Sequence, residues 1–365
     1  MGIWWPEQPY NALPALPPPV DLESKRVLKA TIAARAELAR LDEAARALPD
    51  PTVLINAIPL LEAQASSEIE NVVTTTDELF RWAEDEQGAT NPATREALRY
   101  RSALRAGFDT VRERPLSAST TVDICSRIQG YQSDFRSGPG TFIGSQGGRR
   151  VYTPPEGREV IVAMLRAWEH FIHSESDLDP IVVMAITHYQ FEAIHPFSDG
   201  NGRTGRILNV LLLVSSGLLS LPILYLSRYI IRTKQQYYDL LLAVTRDGAW
   251  EDWLVYILEG VRQTTLFTLT KIGAIRVLQS VVHDEIAAAL PRGVDADLLA
   301  VLFEQPYLRI RTVVERCRVS RPTATKWLEA LVEARVLDQV VVGRDRLFVN
   351  TRFLDILFED EEDKS

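Results

Sequence analysis

Thiols are scarce in this chain: its 365 residues include two cysteines, Cys125 and Cys317, far apart in sequence. Two thiols build neither a disulfide framework nor a cysteine zinc site, and such sparse usage fits a reducing cytoplasm. An excess of positive charge is missing as well. Forty Lys and Arg face 49 Asp and Glu, a net charge of −9 with a pI near 5.3, which argues against whole-surface attraction to nucleic acid or an anionic membrane. Five of those negative charges form the run Glu359-Asp360-Glu361-Glu362-Asp363, expected to be a solvated tail over 359–365. The N-terminal stretch reads Trp4-Trp5-Pro6-Glu7 and shows no basic region followed by an apolar one, so no signal peptide is expected. One long uncharged stretch exists, Ile207 to Leu226, but Asn209, Ser215, Ser216, Gly217, Ser220 and Pro222 interrupt it. A buried helix, a turn and a short buried segment are expected there instead of a membrane span.

What is present is a globular composition, 46% hydrophobic and 24% charged, with a length that suggests two or three domains. Pro14 and Pro17-Pro18-Pro19 predict an extended N-terminal arm. Helices are expected over 21–48, 54–72 (apolar residues at helical spacing) and 75–86, the last opened by Thr75 with Glu78. Asn91-Pro92 starts another helix to about 114, followed by one over 119–132. Two β-prone runs around Gly147-Gly148 predict a hairpin within about 140–153. Helices resume at 157–173, 179–193, 203–217, 233–246 and 250–290. Pro291-Arg292-Gly293 reads as a linker. Beyond it, helices over 295–304, 312–317 and 321–335 and strands over 340–342 and 347–349 follow the order of a winged helix-turn-helix.

The chemistry concentrates in His195-Pro196-Phe197-Ser198-Asp199-Gly200-Asn201-Gly202-Arg203-Thr204-Gly205-Arg206. Pro196 ends the preceding helix at or just before His195. Gly200, Asn201 and Gly202 tolerate the left-handed conformations of an anion-binding nest. A helix beginning near Arg203 turns its positive dipole end to the same space, and Arg203 and Arg206, three apart, can both fork onto phosphate oxygens. Asp199, with no obvious cationic neighbour on the loop side, suits Mg²⁺. His195 is the side chain near the nest that exchanges a proton around neutral pH. A polyphosphate cradle with a base at its mouth is the expectation. It is not a Walker loop, because no G-x-x-x-x-G-K-[ST] is present.

These twelve residues match H-x-F-x-[DE]-G-N-G-R-x-x-R, and the chain thereby resembles the Fic proteins, most of which transfer AMP from ATP to a target hydroxyl. The run Pro180 to Ile194 and the run Leu221 to Arg228 also resemble that family. The resemblance implies a mainly α-helical fold: an N-terminal helical region over 1–115, a Fic core over 116–290 and a winged helix over 294–358. The hairpin would be the flap that holds a target protein's hydroxyl-bearing segment by β-augmentation. By the same resemblance His195 would deprotonate a Ser, Thr or Tyr hydroxyl, and Asp199 would hold Mg²⁺ on the α- and β-phosphates of ATP. Gly200, Asn201 and Gly202 would bind phosphate through N–H groups and Arg203 and Arg206 through guanidinium, with Thr204 and Gly205 in the same nucleotide-binding stretch. Doc kinases carry lysine at the position of Gly202, so its absence favours AMP transfer over phosphorylation.

Upstream, Ser66-Ser67-Glu68-Ile69-Glu70-Asn71 contains S-x-x-x-E-[GN] and resembles the inhibitory helix of Fic proteins, with Ser66 and Glu70 as its signature. Glu70 would pair with Arg206 and so displace the γ-phosphate. In some relatives the same glutamate supports hydrolysis of the AMP–protein bond, which leaves AMP removal as an alternative activity. Tyr238, in Tyr237-Tyr238, resembles the family's nucleotide-side tyrosine, while Thr245 stands where some relatives have asparagine. Homodimerisation is implied in the same way, while the cytoplasmic location is expected from the scarcity of thiols. Over 294–358 ten Lys and Arg meet nine Asp and Glu, weak for DNA binding. Arg309, Arg311, Arg316, Arg318, Arg321 and Lys326 do cluster, however, and leave a nucleotide-sensing transcription regulator as the rival from another class. His170 and His173 lack a third ligand and are read as part of an amphipathic helix.

Overall fold

The computed structural model of the chain describes residues 4–48, 50–83, 86–144, 148–174, 177–290, 296–342 and 345–358. The N-terminal half runs α1 (Lys25–Arg46), α2 (Thr52–Ile69), α3 (Thr76–Arg81), a 3-10 turn (Glu86–Gly88), α4 (Pro92–Glu113) and α5 (Ala118–Gln129). A two-stranded antiparallel hairpin follows, β1 (Ile143–Gly144) with β2 (Arg150–Tyr152), Ile143 opposite Tyr152. Then come α6 (Arg158–His173), α7 (Pro180–Ile194), α8 (Asn201–Ser215), α9 (Leu226–Arg232), α10 (Lys234–Asp247) and α11 (Trp250–Ala289). The C-terminal part is α12 (Ala296–Glu304), β3 (Tyr307–Leu308), α13 (Ile310–Cys317), α14 (Arg321–Glu333), β4 (Asp338–Val342), β5 (Asp345–Val349) and α15 (Thr351–Phe358). Its three strands lie in the order β3-β5-β4, all antiparallel. The linker 291–293, the hairpin tip 145–147, the Gly343-Arg344 turn and the acidic tail 359–365 lie outside the described residues.

Short side chains set where these helices start. Ser24, Thr75, Asn91, Ser117, Asp179 and Ser320 each accept a first-turn backbone N–H, and Pro92, Pro180 and Pro322 occupy first-turn positions where the missing donor costs nothing. The helix from Thr75 ends at Arg81, earlier than its pattern suggests, with Trp82 closing it. Three elements carry no expectation above: α9, β3 and α15 are seven, two and eight residues long, too short for periodicity to register.

The mainly helical body buries one continuous apolar cluster. α7 and the Asn201–Leu213 part of α8 are buried almost throughout, so the two helices that flank the chemistry-bearing loop are the rigid centre of the molecule. The stretch 207–226 resolves as α8, a turn with Gly217 at φ 72, and the start of α9. Among the described residues α11 alone is long and apolar enough to cross a membrane. It packs instead along α1, its first turn tied to the other helix by Arg26 on Glu251 (2.6 Å) and Asp252 (2.9 Å).

Candidate active site

α7 runs apolar and buried from Pro180 and stops where Pro196 forbids another turn. His195, its C-cap, takes φ 50, ψ 60 and donates its N–H to Phe191 O (3.0 Å). Asn201 then closes the loop with two side-chain bonds. Its Oδ1 accepts Phe197 N–H and its Nδ2 donates to Phe197 O, both at 2.8 Å. Phe197, 1% exposed, is wedged between Phe135 and Phe191. Gly200 supplies the turn at φ 83, and a β-carbon there would lie 2.7 Å from Gln129 Nε2. α8 therefore begins at Asn201, two residues before the expected start. Its first-turn N–H groups, at Asn201, Gly202 and Arg203, have no intrahelical acceptor and face the loop with the positive helix end.

Arg206 projects from α8 to α2. It donates Nη2 to Glu70 Oε1 (2.7 Å) and Ser66 O (2.9 Å), and Nε to Ser66 Oγ (2.8 Å). Burial works against both charges, yet each partner holds the other ionised. Burial would raise the Glu70 pKa, but Arg206, with Arg203 and His195, brings it below the ordinary value. Burial would lower that of Arg206, but Glu70, Tyr237 and Glu192 hold it above. At Gly202 a β-carbon would meet Glu70 Oε1 at 2.2 Å, so the carboxylate sits directly over the nest.

The two arginines do not point the same way. Arg203, 4% exposed, is bound to Glu96 on α4 and, through Nη2, to Asp199 Oδ1 at 3.1 Å. Asp199 thus has a cationic partner one helical turn ahead, contrary to the sequence expectation. Its Oδ1 also accepts Gly200 N–H (2.6 Å), while Oδ2 has no partner among the described residues, on a side chain 65% exposed. Thr204 is fully buried beside Cys125, and a β-carbon on Gly205 would lie 2.5 Å from Glu192 Oε1. The side-chain sites of both residues belong to packing of α8 on its neighbours.

Burial and the nearby Arg136 push His195 down to about 4, so its imidazole is neutral at pH 7. Its Nδ1 is buried, and the Glu192 backbone interacts with the ring in the sense that favours the charged form. Tyr238, 38% exposed, stands edge-on to Tyr237 at 5.2 Å, its hydroxyl pKa raised by burial and by Glu70. Tyr237 is buried and hydrogen-bonded to His188 Nε2 (2.9 Å), and Thr245 is buried against Tyr189 OH (2.9 Å). His173 Nε2 meets Leu116 O at 2.5 Å, in keeping with a structural histidine.

Four residues escaped the sequence reading: Glu62, Glu96, Arg136 and Glu192. Glu192, one turn before His195, is pushed up to about 7 by burial. Glu62, also raised to about 7 by burial, receives Tyr100 OH (3.0 Å) and Ser227 N–H (2.9 Å). Spacing gives a signal for Glu62, which lies four residues before Ser66 and eight before Glu70 on one stripe of α2. Nothing local in sequence marks the other three.

Three family models match the chain in order. "Fic/DOC family N-terminal" covers residues 28–109, "Fic/DOC family" 115–213, and "Protein adenylyltransferase SoFic-like, C-terminal domain" 277–353. A protein adenylyltransferase Fic of Drosophila virilis is 43% identical over 68 residues, 18% of this chain and 14% of that protein. A probable protein adenylyltransferase of Aquifex aeolicus is 38% identical over 79 residues, 22% of this chain and 24% of that protein. The chain thus spans between a seventh and a quarter of these relatives. Among solved structures, a Fic family protein from Desulfovibrio desulfuricans aligns over 89% of this chain and 96% of its own, with a TM-score of 0.56 at 17% identity. Fic-1 of Caenorhabditis elegans aligns over 69% and 74%, with a TM-score of 0.52 at 20% identity. Both share the fold.

Proposed function

The chain belongs to the Fic/DOC family, and on that premise we propose that it is a protein adenylyltransferase held in check by its own Glu70. The observation that carries the reading is the loop 195–206: a neutral base, three open first-turn N–H groups and a buried guanidinium converge on one space that a carboxylate now covers. In the proposed reaction an acceptor Ser, Thr or Tyr oxygen attacks the α-phosphorus of ATP as its proton passes to the His195 imidazole. The bond from the α-phosphorus to the bridging oxygen breaks, and pyrophosphate leaves. The neutral imidazole has a nitrogen lone pair available for the acceptor's proton, and N–H groups at a helix start suit the charge that develops on phosphate.

Arg206 cannot fork onto Glu70 and onto a terminal phosphate at once. Glu70 therefore acts as the inhibitor, and Ser66 seats the guanidinium toward it. Asp199 fits Mg²⁺, since one hard oxygen remains unpaired and the ion commonly takes one or two carboxylates besides substrate phosphates. When bound, Mg²⁺ would supply charge neutralisation on the phosphates, and Arg203 would hold Asp199 in place. Tyr238 would border the nucleoside, and the β1–β2 hairpin the target segment. Dimerisation, a cytoplasmic location and a winged-helix role for the C-terminal part are extensions of the same family reading.

Hydrolysis of an AMP–protein bond is a second reading favoured by one observation, the Glu70 carboxylate lying over the nest at Gly202, where it would align a water for attack on the phosphorus. The test is label transfer from α-labelled ATP. Glu70→Gly should raise auto-modification at least tenfold over the native chain, and adding His195→Ala should abolish it. Label transfer surviving His195→Ala would remove His195 from the reaction. Release of AMP from a modified target by native chain, without transfer by the Glu70→Gly variant, would select hydrolysis.

A further inference from the structure

The hairpin stem and the catalytic loop meet at a side chain to which the proposed reaction gives no role. Arg136 precedes β1 and is 6% exposed. Its Nε donates to His195 O at 2.7 Å, and its Nη2 to Ile194 O at 3.1 Å and to Pro155 O at 2.5 Å. Its own backbone N–H donates to Pro196 O at 2.9 Å. Two of these acceptors are last-turn carbonyls of α7, which no helical N–H can reach. Most buried arginines are matched by a carboxylate, whereas Arg136 has no ion pair among the described residues and is solvated by carbonyls.

We propose that Arg136 is a positioning residue for His195: its fork fixes the carbonyls of 194 and 195, ties them to the hairpin stem at Pro155, and leaves its charge acting on the imidazole. Two hydrogen bonds and a ring contact extend the clasp. Tyr152 on β2 donates its hydroxyl to Ala193 O (2.8 Å), Tyr10 of the N-terminal arm donates its N–H to Thr153 O (3.0 Å), and the two rings meet edge to face. Target docking on the hairpin and placement of the base thereby share one support. Five influences act on the His195 imidazole. Burial and Arg136 lower its pKa, while Glu70 at the end of α2, the Glu192 backbone and Asp199 in the loop raise it. Removing the guanidinium charge must therefore shift the titration upward, and keeping the charge without the fork must not.

The inference rests on His195 as the base, but its test does not depend on AMP transfer. Histidines of the full chain are ¹³C-labelled, and the His195 signal is assigned by its loss in His195→Ala. In native chain that imidazole should stay neutral down to about pH 5, whereas Arg136→Gln should raise its midpoint by about one unit or more. Arg136→Lys should keep the native titration, yet in the Glu70→Gly background it should lower turnover at least tenfold. An unshifted midpoint in Arg136→Gln, or an equal shift in Arg136→Lys, would overturn the proposal. Should Arg136→Gln fail to fold, Arg136→Lys decides: native turnover with a native titration overturns it. If Glu70→Gly itself transfers no AMP, the activity reading falls, and the titrations still judge Arg136.

Discussion

His195 sits at φ 50, ψ 60, a left-handed conformation that costs a residue with a β-carbon roughly 1–2 kcal/mol. Pro196 bars the helical alternative, and the carbonyls flanking His195 are held by Arg136. One turn earlier, Glu192 titrates near 7 because of burial, against an ordinary value of 4.5. Between those values the folded chain keeps a proton that the unfolded chain has released, so this group's contribution to stability falls as pH rises through that window. Glu192→Gln removes the titration. Its melting temperature relative to native should therefore climb from pH 4.5 to 7 and level off above; a constant difference at pH 5 and pH 8 would contradict this. Gly205→Ala should lower stability by about 1–3 kcal/mol, because the new β-carbon meets Glu192 Oε1 at 2.5 Å and Phe191 at 3.2 Å. A melt within half a degree of native would refute that packing role. The residue types and spacing of the loop were legible in sequence. What was not legible is which side chains turn inward: Thr204 is buried, a β-carbon at Gly205 would meet Glu192, and Asp199 read as unpaired and is held by Arg203. Those outcomes depend on α4, α5 and α7 crossing α8, and no local spacing encodes a crossing.

In the proposed inhibition α2 would act as a single element, because its polar stripe repeats every fourth residue: Glu62, Ser66 and Glu70. Glu62 anchors the middle of the helix to Tyr100 on α4 and Ser227 on α9, and the last turn delivers Ser66 and Glu70 to Arg206. Loss of the Ser66 hydroxyl removes one of three Arg206 bonds and leaves the carboxylate in place. Ser66→Ala should thus release activity only in part, roughly fivefold in auto-modification for a bond of about 1 kcal/mol, well below Glu70→Gly. Equal activation by the two substitutions would mean that seating the helix end, and not the carboxylate, carries inhibition. Helices with a capping side chain or a first-turn proline were legible to within a few residues. α9, β3 and α15 were not, because each is held by tertiary burial: Leu226, Leu308 and Phe353 are at most 2% exposed.

At the scale of the molecule, a net charge of −9 coexists with buried guanidiniums gathered around one loop and its first-turn N–H groups. The acid is spread over exposed helix faces, as in the Arg26–Glu251 and Arg105–Asp109 pairs, where such pairs contribute little. Arg136, Arg203 and Arg206, by contrast, are at most 6% exposed. Bulk charge therefore says nothing about how these buried guanidiniums are used. Once Glu70 is gone, the proposed reaction has this loop transfer AMP. Intact-mass measurement of the Glu70→Gly chain after incubation with each nucleoside triphosphate and Mg²⁺ tests it most directly. An adduct of one AMP or more is expected from ATP, absent from native chain and from the variant that also carries His195→Ala. No adduct from any of the nucleotides would contradict it.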